Sequence, residues 1–211
     1  MALLLAALLL ALAAEGPRYG PDRLPPVRNA DDPLVDAASL VPGLMVALAY
    51  ATPDNFTGKA LYPTGARCWL RRSAAERLKL VAARLRRQGL RLVAWDCTRP
   101  RPVQQQLWKA HPHPGAVANP ERGSLHERGV AIDVAVARLD GTPAALPTPF
   151  DAFGPQAGAD AKLDDGAAKQ NRDALRAAMH AHGFRVNPKE WWHFSRLYGW
   201  RWPVATPPSA R

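Results

Sequence analysis

Residues 124–136 read SLHERGVAIDVAV, and this stretch joins a turn to a strand. Large apolar residues at the even-numbered positions from 130 to 136 alternate with Ala131, Asp133 and Ala135. This is the period of a β-strand that has one apolar face and one face of small residues. Asp133 therefore has room beside it for something other than protein, and Gly129 lets the chain turn just before the strand.

His126 precedes Asp133 by seven residues. On a straight helix this separation spans about 10 Å, which is too far for two ligands that each bond one ion at about 2 Å. Across a turn that leads into a strand, the two side chains can converge. An imidazole and a carboxylate are two of the three protein ligands usual at a catalytic zinc, so the pair predicts a zinc site.

The segment Glu190-Trp-Trp-His193 offers a third ligand, His193, and a general base, Glu190. Positions three apart in a regular strand face opposite sides. Glu190 must therefore sit at a bend or a bulge, and Pro188 favours such a bend. We expect the rings of Trp191 and Trp192 to wall the site and to exclude water from it.

The other four histidines are expected to have structural or solvent-facing roles. His111 and His113 lie in a proline-rich loop, and His180 and His182 lie near the C-terminus of a predicted helix, where a cation is favourable in any case.

The remaining patterns indicate helices and strands without regular βαβ alternation. A Ser73-x-x-Glu76 capping box opens a helix that Gly89 stops. Further elements are expected as a strand over Leu90–Trp95, a helix from about Pro100 to Lys109, a helix over Ala168–Ala181 and a last strand over Glu190–Phe194. The fold class predicted is α+β, a single domain with a central, mostly antiparallel sheet flanked by helices.

Length and composition fit one ordinary domain. The chain has 211 residues, of which 47% are hydrophobic, so wholesale disorder is excluded. The net charge of +10 is compatible with an anionic partner. The basic residues are nearly all arginines scattered along the chain, however, and they form no stripe, so we expect no nucleic-acid partner.

The two ends of the chain are expected to lie outside the catalytic domain. Residues 1–14 form an uncharged Ala/Leu run that is too short to span a membrane and is typical of an export signal, although it lacks a basic n-region. We therefore expect an exported, periplasmic protein without stable membrane insertion once the signal is removed. The domain boundaries predicted are a leader over 15–34, the catalytic domain over 35–202 and an unstructured tail over 203–211.

Cys68 and Cys97 are the two cysteines of the chain. In an exported protein such a pair usually forms a disulfide. Two unpaired buried thiols are the alternative, and the spacing matches no zinc motif.

The pattern S-x-H-x-x-G-x-A-x-D followed by E-x-x-H resembles the zinc D,D-peptidases, a group that includes D,D-carboxypeptidases and the hedgehog fold. Four further stretches resemble the VanX-type D-alanyl-D-alanine dipeptidases within that group. They occur in the family's order and are Tyr50–Lys59, Trp95–Pro100, Pro149–Asp151 and Glu190–Phe194. The resemblance covers approximately residues 35–200.

The resemblance implies a role for each matching position. One zinc ion per chain would be held by His126, Asp133 and His193. Glu190 would act as general base and acid, and Arg99 would stabilise the oxyanion. Asp151, together with Glu190, would receive the free ammonium of the dipeptide D-alanyl-D-alanine, and Ser124 would help to fix its C-terminal end.

Two departures from the family pattern bear on function. Thr98 stands where family members commonly carry an aromatic residue, and the export-like segment differs from the cytoplasmic resistance enzymes. Cell-wall turnover or scavenging is therefore expected rather than resistance. A D,D-carboxypeptidase acting on peptidoglycan stems and a non-catalytic zinc-containing module that binds wall peptides remain alternatives, and the oligomeric state stays open.

Overall fold

The computed structural model describes residues 26–112, 117–164 and 166–208, and seven strands and four helices lie within them. In chain order the strands are β1 (Leu34–Asp36), β2 (Met45–Val46), β3 (Trp69–Arg71), β4 (Leu90–Asp96), β5 (Ala131–Arg138), β6 (Phe184–Asn187) and β7 (Glu190–Arg196). The helices are α1 (Ala37–Leu40), α2 (Arg72–Arg86), α3 (Arg101–Ala110) and α4 (Gly166–Ala181). The predicted export signal, residues 1–14, lies outside the described residues.

Five of the strands form one sheet in the order β2-β4-β5-β7-β6. The β2–β4 pair is parallel, and the other three pairs are antiparallel. Strands β1 and β3 form a separate antiparallel pair. These pairings confirm the predicted α+β class with a mostly antiparallel sheet.

Strand β5 lies at the centre of the sheet, and its residues from Ala131 to Ala137 are all buried. Its apolar side chains belong to the same core as Leu78, Val81 and Leu85 of α2. Each such side chain contributes about 1.5–3 kcal/mol through burial. Because β5 is buried on both faces, the strand holds Asp133 in a fixed position.

Helix α2 begins differently from the prediction, because the Ser73–Glu76 capping box does not form. The helix starts at Arg72, and Arg71, the N-cap residue, makes no side-chain capping bond. The carboxylate of Asp32 takes that role instead, accepting hydrogen bonds from the Ser73 backbone N (2.9 Å) and from the Ser73 Oγ (2.6 Å). A carboxylate at a helix N-terminus satisfies free N–H groups and complements the helix dipole.

The predicted leader and tail both contact the domain where the structure describes them. The Val27 N donates to the Arg201 O (2.9 Å), and the Ala205 N donates to the Glu127 O (2.8 Å). Residues 203–208 contain no helix or strand, yet the Arg71 Nη2 holds the Pro203 O at 2.9 Å. The described parts of the leader and the tail are therefore both tied to the domain, and the tail is tied to the turn that carries His126.

Asp32 is expected to be a strong determinant of stability. It is buried, and beyond Ser73 its carboxylate accepts from the Trp202 Nε1 at 2.7 Å. Replacing Asp32 with Ala leaves these donors without an acceptor, so the free energy of unfolding should fall by about 3 kcal/mol in urea denaturation.

Asp31→Ala is the matched control. The neighbouring carboxylate makes only an exposed ion pair with Arg28, and such pairs add little. Equal stability losses in the two variants would refute the role given to Asp32.

The two cysteines form a disulfide, Cys68–Cys97, which closes a sequence separation of 29 residues. The predicted pairing is thus confirmed, and the bridge links the residue before β3 to the residue after β4. A loop of this length corresponds to a stabilisation of about 3–4 kcal/mol in the chain-entropy description.

Within the described part of the chain, every helix is too short or too polar to cross a membrane.

Candidate metal centre and active site

Three predicted ligands meet at one point. The His193 Nδ1 lies 3.0 Å from the Asp133 Oδ1 and 3.1 Å from the His126 Nε2, and the His126 Nε2 lies 3.4 Å from the same Asp133 oxygen. Ligands bonded at 2.0–2.1 Å in a tetrahedron are about 3.3 Å apart. The triangle therefore matches the spacing that a tetrahedral ion requires, and the described residues form a possible metal site.

The sheet register brings two of these ligands together. Asp133 of β5 pairs with His193 of β7, and Ile132 pairs with Phe194 beside it. Because side chains alternate along a strand, both ligands project from one face while Ile132 and Phe194 join the core on the other. The predicted alternation of this strand thus decides where the carboxylate points.

The third ligand, His126, is carried by a short 3₁₀ turn, His126–Arg128, that precedes β5. Gly129 ends the turn in the left-handed conformation, with φ 72°. A Cβ at this position would come within 2.7 Å of the Leu34 Cδ2, so only glycine fits here without a shift. The turn lets His126 and Asp133 converge, as predicted.

The charge state of the site suits a cation. Burial alone would raise the pKa of Asp133, but His126 and His193 hold it well below its usual range. The carboxylate is therefore ionised. The His126 Nδ1 lies 2.8 Å from the Cys97 carbonyl oxygen, to which it donates, so the neutral ring presents its Nε2 lone pair to the triangle.

Glu190 begins β7 beside a break in the β6–β7 ladder, which shifts between Val186 and Asn187. This irregularity confirms the predicted bulge and lets Glu190 and His193, three residues apart, face the same side. The Glu190 Oε2 lies 4.0 Å from the His193 Nδ1 and accepts from the Asn187 Nδ2 at 2.7 Å. Burial raises the pKa of Glu190 to about 7, with Asp133 adding to the effect and His193 opposing it.

Arg99 is buried beside the triangle, and its Nη2 lies 3.8 Å from the Asp133 Oδ2. Its Nε and Nη2 both donate to the Asp96 Oδ2 (2.9 and 2.6 Å), and its Nη1 donates to the Gln104 Oε1 (2.7 Å). Burial would lower the pKa of Arg99, but Asp96 and the neighbouring tyrosines raise it well above its usual value. The guanidinium is thus a fixed, permanently charged group.

Asp151 has an unusual backbone conformation, with φ 56°, which few residues other than glycine adopt. Both of its carboxylate oxygens accept from the Tyr50 hydroxyl, at 3.1 and 3.0 Å. Burial, followed by the charge of Asp133, raises the pKa of Asp151 to about 7. The ring of Tyr50 also lies 5.3 Å from the Arg99 guanidinium carbon, so Tyr50 contacts both groups.

A cavity of about 270 Å³ is lined by all seven predicted site residues: Arg99, Ser124, His126, Asp133, Asp151, Glu190 and His193. Trp192 also lines this cavity. Trp191, by contrast, packs in the core against Trp95 and donates to the Thr148 Oγ1. The prediction that both tryptophans wall the site is therefore wrong for Trp191, because adjacent strand residues face opposite sides.

Comparison with known proteins decides the family. A family model described as D-ala-D-ala dipeptidase matches residues 30–199. The chain belongs to the D-alanyl-D-alanine dipeptidase family. Membership confirms the resemblance that the sequence motifs indicated and makes the chain a metallopeptidase that hydrolyses a small dipeptide.

Similar proteins support the same assignment. The chain is 38% identical over 161 residues to the D-alanyl-D-alanine dipeptidase of Escherichia coli strain K12, covering 76% of this chain and 83% of the relative. It is 31% identical over 169 residues to the enzyme of the same name in Enterococcus faecalis, with coverages of 70% and 83%. The corresponding protein of Streptomyces coelicolor is 32% identical over 183 residues, with coverages of 74% and 87%.

Several side chains that shape the site carry no role in the sequence-based prediction. They are Tyr50, which contacts Asp151 and Arg99; Asp96 and Gln104, which hold Arg99; and Asn187, which holds Glu190. Tyr50 and Asp96 stand inside two of the quoted motif stretches, which was the available signal. Asn187 and Gln104 lack such a signal.

The remaining histidines lie outside the ligand triangle where the structure describes them. His111 stacks on Phe153, with ring centroids 4.5 Å apart. His180 lies in the last turn of α4, and His182 follows the end of that helix. His113 is outside the described residues.

Proposed function

We propose that this protein is a zinc-dependent dipeptidase that cleaves D-alanyl-D-alanine into two molecules of D-alanine. One observation carries the proposal. The half-buried carboxylate of Glu190 lies 4.0 Å from the His193 Nδ1, and the buried guanidinium of Arg99 lies 3.8 Å from the Asp133 Oδ2. A base, a cationic donor and a metal site then face the same small cavity.

The donor set supports zinc. Two imidazoles and one carboxylate, His126, His193 and Asp133, are a usual protein ligand set for a catalytic zinc, and their spacing fits tetrahedral coordination. When bound, the ion acts as a Lewis acid that polarises the peptide carbonyl and lowers the pKa of a water molecule. We propose one zinc ion per chain.

Glu190 is proposed as the general base. Its carboxylate is held by Asn187 on one side and lies next to His193 on the other. A pKa of about 7 lets the same group take a proton from the attacking water and return it to the leaving amine at neutral pH.

Arg99 is proposed to stabilise the negative charge that develops on the peptide oxygen. Of its five N–H groups, three donate to Asp96 and Gln104, which leaves two for the substrate. Because Asp96 fixes the guanidinium before substrate binds, little reorganisation accompanies the reaction. One such fixed donor is worth on the order of 3 kcal/mol in transition-state stabilisation.

Asp151, with Glu190, is proposed to receive the free ammonium of the dipeptide. Its carboxylate faces the cavity, is oriented by the Tyr50 hydroxyl and is partly buried. A buried ammonium needs such a partner, and an acylated amine would supply no charge to it. Ser124 lines the cavity and is proposed to help fix the C-terminal end of the substrate.

We further propose an exported protein that acts on cell-wall turnover products or scavenges dipeptides. The buried Cys68–Cys97 disulfide supports an oxidising compartment. The expected export signal in residues 1–14 is consistent with this location.

The substitution Asp151→Asn should strongly reduce the activity of the enzyme on its normal substrate. With zinc present, we expect kcat/KM for D-alanyl-D-alanine to fall about 100-fold, since truncating one partner of a buried charge pair costs several kcal/mol. N-acetyl-D-alanyl-D-alanine should release no D-alanine with either enzyme. Release of D-alanine, followed by chromatography, is the measurement.

Asp160→Asn, which removes an exposed carboxylate paired with Arg176, should leave kcat/KM unchanged. Cleavage of the acetylated dipeptide would assign the protein to the D,D-carboxypeptidases instead. Zinc binding without release from either substrate would favour a module that binds wall peptides.

A further inference from the structure

We propose that the Cys68–Cys97 disulfide is a positioning element of the metal site, which acts by holding the carbonyl group that orients His126. This inference rests on the proposed function only in that it names zinc as the ion. The disulfide does not touch the cavity, and its effect passes through one backbone carbonyl.

His126 is held at two points by the segment that contains Cys97. Its ring Nδ1 donates to the Cys97 carbonyl oxygen at 2.8 Å, and its own carbonyl oxygen accepts from the Arg99 N at 3.2 Å. The first bond selects the tautomer whose Nε2 lone pair points at Asp133 and His193. A displaced Cys97 carbonyl would therefore rotate the ring or release the other tautomer.

The sheet does not fix Cys97. The β4–β5 ladder is regular up to Ala94 and then shifts before Asp96, its last paired residue. Cys97 follows that irregularity and belongs to no strand. Some other contact must hold its carbonyl in place.

The contacts that hold it come from the segment at the start of β3. Cys68 is bonded to Cys97 through the disulfide. The adjacent Trp69 carbonyl accepts from the Thr98 N at 3.0 Å and from the Thr98 Oγ1 at 2.5 Å. Thr98 therefore adds two hydrogen bonds to the covalent link that holds this segment.

The contacts that hold Cys97 and Thr98 also restrain Arg99, because Asp96 and Arg99 are the residues on either side of this pair. Asp96 lies directly before Cys97, and its Oδ1 accepts from the Cys97 N at 2.9 Å. A covalent link at Cys97 therefore restrains the metal ligand His126 and the guanidinium of Arg99 through one short segment.

The test separates positioning from general stabilisation. In the double variant Cys68→Ala/Cys97→Ala, the zinc dissociation constant, measured by chelator competition, should rise about 10-fold, as is typical when a partner behind a metal ligand is lost. Nitrogen-15 NMR of the His126 ring, without metal and at a pH high enough to keep the ring neutral, should show a mixture of tautomers in place of one.

Leu85→Ala is the matched control. Leu85 is fully buried near the C-terminal end of α2, away from Cys68, and its truncation costs about as much stability as loss of the disulfide. Its zinc dissociation constant and its His126 tautomer should match those of the unchanged protein.

A folded double variant whose zinc dissociation constant and tautomer are unchanged would overturn the inference. If the double variant does not fold, Cys68→Ser/Cys97→Ser breaks the same bridge while nearly preserving the size of both side chains. Its zinc dissociation constant should also rise about 10-fold, and no rise would overturn the inference. If the unchanged protein binds zinc but cleaves no dipeptide, the proposed function fails while the affinity comparison still decides this inference. If it binds no zinc, the tautomer comparison decides it.

Discussion

Glu190→Gln is expected to lower kcat for D-alanyl-D-alanine by about 1,000-fold or more while one zinc ion per chain stays bound. Gln preserves the size of the side chain and can still accept a hydrogen bond from Asn187. It cannot take a proton from water, nor pass one to the leaving amine. Glu190 is proposed to carry out both proton transfers. The expected loss of kcat therefore lies at the upper end of the range for acid–base catalysis.

The measurements are kcat by D-alanine release and metal content by elemental analysis of the dialysed protein. Glu121→Gln, which changes an exposed glutamate of the loop before His126, should leave both quantities unchanged. Activity of Glu190→Gln within tenfold of the unchanged enzyme would remove Glu190 as the base. Loss of the zinc would instead show that Glu190 acts as a ligand.

His126→Ala is expected to abolish stoichiometric zinc binding. As a result, kcat/KM should fall by at least about 1,000-fold. Two ligands, Asp133 and His193, would remain, which is fewer than the three usual at a catalytic zinc. Asp133 would also lose the imidazole that does most to keep its pKa low, so its carboxylate would hold a cation less well at acidic pH.

The check is zinc content after dialysis against a weak chelator, with His182→Ala as the control. His182 lies outside the ligand triangle, just after the end of α4, and its replacement should keep one zinc ion per chain. Full zinc content in His126→Ala would contradict the ligand assignment.

Both predictions concern residues that the sequence alone identified. Asp133 could be placed because strict alternation from 130 to 136 is a local signal, and the sheet then set His193 opposite it. The bend at Glu190 was predictable as well, since two functional residues three apart in a strand cannot share a face without an irregularity.

Other parts of the fold left no usable pattern. Strands β1, β2, β3 and β6 have two to four residues each, which is too few to display a period. The capping box at Ser73 has the right residue types, yet the distant Asp32 reaches the same N–H group and replaces it. A local motif of modest energy gives way when a tertiary contact satisfies the same donor.

The sequence by itself determined the fold class and the family, and it singled out the three proposed metal ligands and the proposed base, because these residues stand in short motifs of fixed spacing. The tertiary structure decided what orients those groups. Tyr50 meets Asp151 across 101 residues of chain, the Cys97 carbonyl meets His126 across 29, and Trp191 turns away into the core. Such contacts form between segments that approach only after the sheet is assembled. A contact made by a backbone carbonyl also leaves no signal in the sequence, because every residue has this group.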